Sequence, residues 1–204
     1  MAFEYAPAPE SRSVVDVRES YGLFIDGAFV DSKGGEAFKT VNPATEEVLA
    51  EVTAATSADV DLAVAAARRA FETTWGPMPA RDRAKYLFRI ARIIQERARE
   101  LAVLESLDNG KPIRESRDVD LPLVAAHFFY YAGWADKLEY AGFGANPKPL
   151  GVAAQVIPWN FPLLMLAWKI APALAAGNTV VLKPASTTPI TAYLFADGRR
   201  RGTP

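Results

Sequence analysis

The sequence predicts an α/β protein in which a doubly wound parallel sheet, present only in part, follows a small antiparallel sheet and long helices. Three observations carry this expectation. Up to about residue 52 the apolar residues fall in short runs split by turn residues. From Thr56 to Leu138 they recur at helical spacing. After Gly151 two continuous apolar runs, GVAAQVI and NTVVL, alternate with helical stretches, which is the pattern of strands buried on both faces of a parallel sheet.

Taken in order, residues 1–20 are polar and contain proline, and read as a loose arm. LFIDGAFV places Asp26 and Gly27 between apolar residues, as a hairpin turn requires. FKTVNPATEEVLAEV (38–52) reads as two more strands joined through Asn42 and Pro43, completing the antiparallel sheet. Thr56 and Asp59 form a capping box ahead of a helix whose Val60, Val64, Ala67 and Phe71 share one face. A longer helix starts near Ala80 with Leu87, Ile90, Ile94, Ala98 and Leu101 inward, and stops at LDNGKP, where Gly110 and Pro112 end helical geometry. A third covers roughly 114–138, bent at Pro122. Residues 21–140 therefore form the N-terminal strands and helices, and 141–150 (with GFGANPKP) a loop. A right-handed βαβ unit then opens in 151–204: a strand ending near Ile157, a helix over 163–176, a strand over 178–182 and a helix from Pro189.

Composition excludes several classes of function. The 204 residues are 50% hydrophobic and 23% charged, as in ordinary globular domains, with a net charge of -1. Basic residues are interspersed with acidic ones, so no phosphate-tracking surface for nucleic acid is expected. No apolar run reaches membrane-spanning length and no signal-like N-terminus is present, which points to the cytoplasm. There is no cysteine, which removes disulfides, thiolate metal sites and thiol nucleophiles together. His127, the one histidine, lies on an apolar helix with no partners for a metal site or a catalytic dyad. The Gly142, Gly144 pair follows no strand and has Pro147 after it, so it reads as a loop rather than a dinucleotide fingerprint. Asp108 and Lys111 in LDNGKP read as a helix-ending turn with a cation near the dipole. Tyr130, Tyr131 and Trp134 read as a packing stripe.

Two positions stand out at the carboxyl ends of the parallel strands, where open α/β sheets collect ligands. Asn160 lies in IPWNFPLLMLAWK between Pro158 and Pro162, prolines that bend and stiffen the chain around it. Its amide could donate to a developing oxyanion or simply cap the turn. Lys183 in KPAS could meet a nucleotide ribose or phosphate, or remain solvated before a proline turn.

IPWNFPLLMLAWKIAPALAAGNTVVLKPAS, together with LDNGKP, VNPATEE and FIDGAFV in this order, resembles the N-terminal part of the NAD(P)-dependent aldehyde dehydrogenases, over about residues 20–197. The resemblance implies an incomplete Rossmann-like cofactor domain. In that family a cysteine attacks the aldehyde to give a thiohemiacetal, its hydride passes to the nicotinamide, and a glutamate activates water to release the acid. The resemblance implies that Asn160 is the oxyanion donor and that Lys183 hydrogen-bonds the adenosine ribose. It makes Ile157, Pro158 and Trp159 the wall beside the cofactor, and Phe161, Met165 and Trp168 the aldehyde funnel. Ser186 stands where many NAD-preferring members carry glutamate, which implies that NAD or NADP serves. No metal is implied.

The sequence departs from the family in lacking the pyrophosphate-binding glycine turn, the general-base glutamate and the cysteine. The likeness fades at FADGRRRGTP, so the chain reads as a truncated, split or frame-altered product, inactive by itself. GFGANPKP is similar to the shortened oligomerisation arm of one branch of the family, which implies a homodimer in the complete enzyme. The alternative reading is a non-catalytic nucleotide-binding or interaction module.

Overall fold

In the computed structural model, which describes residues 12–142, 144 and 146–198, five short strands come first. These are β1 (Ser20–Tyr21), β2 (Leu23–Ile25), β3 (Ala28–Val30), β4 (Ala37–Val41) and β5 (Val48–Thr53). The expected hairpin is β2–β3, and Asp26 and Gly27 carry φ of 55° and 79°, the left-handed pair that a two-residue turn needs. The expected antiparallel sheet differs in its joining. β4 and β5 pair antiparallel, but β1 adds to β5 in parallel and the hairpin stands as a separate sheet. Nothing local in the sequence marks that parallel pairing, because Ser20 and Glu51 meet across three intervening strands and their turns. Of the arm expected over 1–20, residues 1–11 lie outside the described residues; Arg12–Val14 form a 3-10 turn, and Val15 and Val17 pack on the core.

Helix α1 (Ser57–Ala70) starts with the capping box read from the sequence: the Asp59 N–H donates to Thr56 Oγ1, and the Thr56 N–H to Asp59. Asp59 also accepts from Ser32 and from the Lys33 amide, and these bonds hold its carboxyl well below the ordinary range. The inward face is Asp59 and Ala66 rather than Val60 and Val64, which are exposed. Helix α2 (Ala80–Glu96) and α3 (Ala98–Asn109) replace the single long helix expected here, because Arg97 leaves helical geometry (φ −101°, ψ 13°). Leu87, Ile94 and Leu101 nevertheless all face the core. Gly110 ends α3 in the left-handed conformation (φ 77°), as LDNGKP predicts.

A short α4 (Ile113–Glu115) passes through a π turn (Ser116–Asp120) into α5 (Leu121–Trp134), with Pro122, the expected bend, directly after the π turn, where the helical hydrogen-bond ladder is already interrupted. Strand β6 (Val152–Val156), α6 (Pro162–Ala175), β7 (Thr179–Lys183) and α7 (Ile190–Asp197) form the strand-helix-strand-helix unit. β6 and β7 are parallel, and the register sets Val156 opposite Lys183. Helix α5 packs against both α2 and α6, and Leu87, Val124, Phe128, Leu163 and Leu166 fill the space between them.

α3 ties this unit to the rest. Asp108, buried to 1% exposure, accepts from the Thr40 hydroxyl at 2.8 Å and from the Ile190 N–H, the first amide of α7, at 2.8 Å. Burial pushes its carboxyl up to about 6 against these two bonds. One turn earlier Glu105, fully buried, accepts the Leu163 N–H of the first turn of α6 at 3.2 Å. Helix N-termini leave such amides without intrahelical partners, and here a neighbouring helix supplies carboxylates.

Candidate active site

Parallel pairing brings two turns to one edge of the sheet. The Ile157 N–H donates to the Lys183 carbonyl at 3.2 Å, so the chain leaves β6 through Ile157–Asn160 beside the exit of β7 through Lys183–Ser186. Both groups of residues read from the sequence therefore meet at the carboxyl ends of the strands. Ile157 is buried; Pro158, Trp159, Asn160, Lys183 and Ser186 are exposed. The Asn160 side chain makes no hydrogen bond to the described residues, which leaves its N–H donors available. Lys183 Nζ donates to the adjacent Pro184 carbonyl at 3.1 Å.

The turn that carries Asn160 is held from α3 and the segment after it. Asn109 Nδ2 donates to the Trp159 carbonyl at 2.6 Å. Glu105 holds the Leu163 amide, as above. Lys111 places its ammonium 3.8 Å from the centre of the Phe161 ring, a cation–π contact. That ammonium also pairs with Asp120 at 2.5 Å and lies 3.9 Å from Glu105 Oε1, which has no hydrogen-bond partner among the described residues. Lys111, the cation expected near the end of α3, is thus largely buried and centres an ion-pair group. Loss of solvent, and after it the neighbouring Asp120 carboxylate, raise the Glu105 carboxyl well above the usual range, against the Leu163 N–H and the Lys111 ammonium.

The expected funnel residues lie along α6. Phe161 and Trp168 are partly exposed, whereas Met165 is half-buried and packs on the core. Trp168 lies beside His127 of α5, ring centres 5.4 Å apart and planes tilted by 37°, and His127 Nδ1 bonds the Leu123 carbonyl at 2.8 Å. His127 therefore lies beside one of the expected funnel residues. Sequence reasoning also passed over Glu105, Asn109 and Asp120. The available signal was the run E-x-x-D-N at the end of α3, polar side chains three and four residues apart on one helix face that is otherwise buried.

The model of the aldehyde dehydrogenase family matches residues 29–203. This chain belongs to the aldehyde dehydrogenase family. It is 48% identical over 180 residues to aldehyde dehydrogenase family 2 member B4, mitochondrial, of Arabidopsis thaliana, and 45% identical over 183 residues to benzaldehyde dehydrogenase, mitochondrial, of Antirrhinum majus. Those matches cover 84% and 85% of this chain and 34% of each relative. The chain thus spans about a third of the length of these curated relatives. Among solved structures, the NAD+ complex of the aldehyde dehydrogenase of Bacillus cereus superposes with a TM-score of 0.85 at 42% identity, over 92% of this chain and 40% of that one. A mutant of aldehyde dehydrogenase C from Pseudomonas syringae, complexed with NAD+ and octanal, gives 0.82 at 38% identity, over 93% and 40%. The α/β fold with its partial parallel sheet is that of an aldehyde dehydrogenase. The family match continues to residue 203, beyond Asp197, where the motif likeness had faded.

The raised Glu105 carboxyl gives this aldehyde dehydrogenase segment a testable pH dependence. A carboxyl whose folded pKa lies above its unfolded value supports the fold while protonated, and that contribution is lost as pH rises from the ordinary value of 4.5 through the raised one. Glu105→Gln keeps an acceptor for Leu163 and cannot ionise. In urea unfolding of the chain, the stability of Glu105→Gln relative to wild type is expected to increase as pH rises from 4.5 to 9. A difference that is flat or falls with pH contradicts this.

Proposed function

We propose that this chain is the N-terminal portion of an enzyme that oxidises an aldehyde to a carboxylic acid with NAD or NADP. The observation that supports the reading most is Asn160: an exposed amide with free donors, on a turn anchored on both sides, at the carboxyl end of a parallel strand and beside an exposed lysine at the end of the next. Such an amide donates to the aldehyde oxygen as it gains negative charge, and because its backbone is already fixed, little reorganisation accompanies that step.

The exposed ammonium of Lys183 and hydroxyl of Ser186, three residues apart beside the sheet edge, are a donor set suited to ribose hydroxyls, with Ile157, Pro158 and Trp159 as the adjoining wall. Bound there, NAD or NADP would accept the hydride. Phe161, Met165 and Trp168 form the side of the funnel that an aldehyde passes, and their character favours an apolar or aromatic aldehyde. The names of relatives, a benzaldehyde dehydrogenase and an octanal complex, accord with that class. The 204 residues contain no cysteine, so the attacking thiol comes from outside this sequence, and the chain alone is inactive in this reading. The division at 141–150, a homodimer in the complete enzyme and a cytoplasmic location belong to the same proposal.

In a full-length enzyme carrying this segment, Asn160→Ala is expected to lower kcat by roughly 10²-fold to 10³-fold, with cofactor KM little changed. Equal damage to both would make Asn160 a structural residue.

Ser186 bears on cofactor choice. A glutamate at this position would accept from ribose hydroxyls but repel a 2′-phosphate, whereas serine removes the repulsion and leaves Lys183 able to pair with the phosphate. The full-length enzyme is expected to use NADP at least comparably with NAD by kcat/KM, and Ser186→Glu to shift it toward NAD. Rejection of NADP by the serine enzyme as strong as by the glutamate variant would remove Ser186 as the selector.

A further inference from the structure

We infer that Asn109 is a positioning residue for the oxyanion donor, acting through the peptide plane that joins Trp159 to Asn160; this rests on the reading of Asn160 given above. The Trp159 carbonyl and the Asn160 Cα belong to one planar unit, so a bond that fixes the carbonyl oxygen fixes the direction in which Asn160 leaves the turn. Asn109 Nδ2 makes that bond at 2.6 Å. Downstream, the ring of Pro162 limits φ, and Glu105 holds the next amide, that of Leu163. Asn160 is therefore bracketed by two anchors, Trp159 O and Leu163 N, and both are gripped from one helix by residues at i and i+4.

The two grips differ in kind. Glu105 is fully buried and also stabilises the start of α6, so its loss would disturb the fold. Asn109 is half-exposed at the last residue of α3, just before the left-handed Gly110. The hydrogen bond its side-chain amide donates to the Trp159 carbonyl holds a turn whose other backbone hydrogen bonds are few: Ile157 N–H to Lys183 O, and Met165 N–H to Phe161 O. Ile157 and Pro162 are buried at the two ends of the turn, but the Trp159 and Asn160 side chains between them are exposed, so their own packing does not fix that peptide plane.

A double-mutant cycle in a full-length enzyme carrying this segment tests the assignment. Asn109→Ala is expected to lower kcat by about tenfold to 10²-fold, the latter being what a misplacement of about 1 Å can cost, with cofactor KM and the melting temperature nearly unchanged. Asn109→Asp, of the same shape but without the donor, should lose as much. In the Asn160→Ala background, Asn109→Ala should cost nothing further, because the group it positions is gone. An equal loss in both backgrounds overturns the inference and makes Asn109 a general structural residue. A loss on Asn160→Ala with none on Asn109→Ala overturns it while leaving the oxyanion reading intact; no loss on Asn160→Ala removes both.

Discussion

Two carboxylates on one buried helix hold the first turns of the two helices that follow the parallel strands. Glu105 takes the Leu163 amide of α6 and Asp108 the Ile190 amide of α7, from positions three apart on α3. Because each helix begins where its strand ends, this arrangement sets the edge of the sheet at which Asn160 and Lys183 emerge. The amides at a helix N-terminus carry a partial positive charge and lack intrahelical partners, so a carboxyl oxygen, an acceptor in either protonation state, is the fitting partner. A third residue of the same helix, Asn109, then fixes the carbonyl just ahead of Asn160.

The arrangement has an electrostatic cost. Both carboxyls are removed from water, and both are pushed toward the neutral form, Asp108 to about 6. Asp108 has the Thr40 hydroxyl as a second donor, which links the N-terminal sheet to α7. Glu105 has instead the approach of Lys111, itself shared with Asp120 and lying over Phe161. That ammonium connects the buried pair to the Phe161 ring. Its position explains why LDNGKP carries a lysine after its glycine: Gly110 turns the chain through a left-handed conformation, and the next residue swings back under the Asn160 turn.

What the sequence displayed and what it hid divide along range. The hairpin at Asp26 and Gly27, the Thr56–Asp59 cap, the stop at Gly110 and the βαβ unit all rest on residues within a few positions of each other, and each is found. The break between α2 and α3 was not visible, since Arg97 is an ordinary helix former and neither glycine nor proline marks the place. The parallel pairing of β1 with β5 joins residues about thirty apart, and nothing at either end announces it. Asn160 and Lys183 were legible from their places at strand ends. Their supports were not, because Asn109 meets Trp159 and Glu105 meets Leu163 across 50 and 58 residues. Polarity at E-x-x-D-N was visible; its partners were not.

Hydrogen exchange at single amides tests the capping arrangement most directly. First-turn amides without partners exchange fast, and Ala80 and Arg81 of α2, which has no side-chain cap, provide the internal reference. Leu163 and Ile190 are expected to exchange at least roughly a hundredfold more slowly than that pair, and Leu163 to lose its protection in Glu105→Ala while Ile190 keeps its own. Exchange at Leu163 and Ile190 as fast as at Ala80 and Arg81 would contradict the account that α3 holds the two helices and, through them, the site.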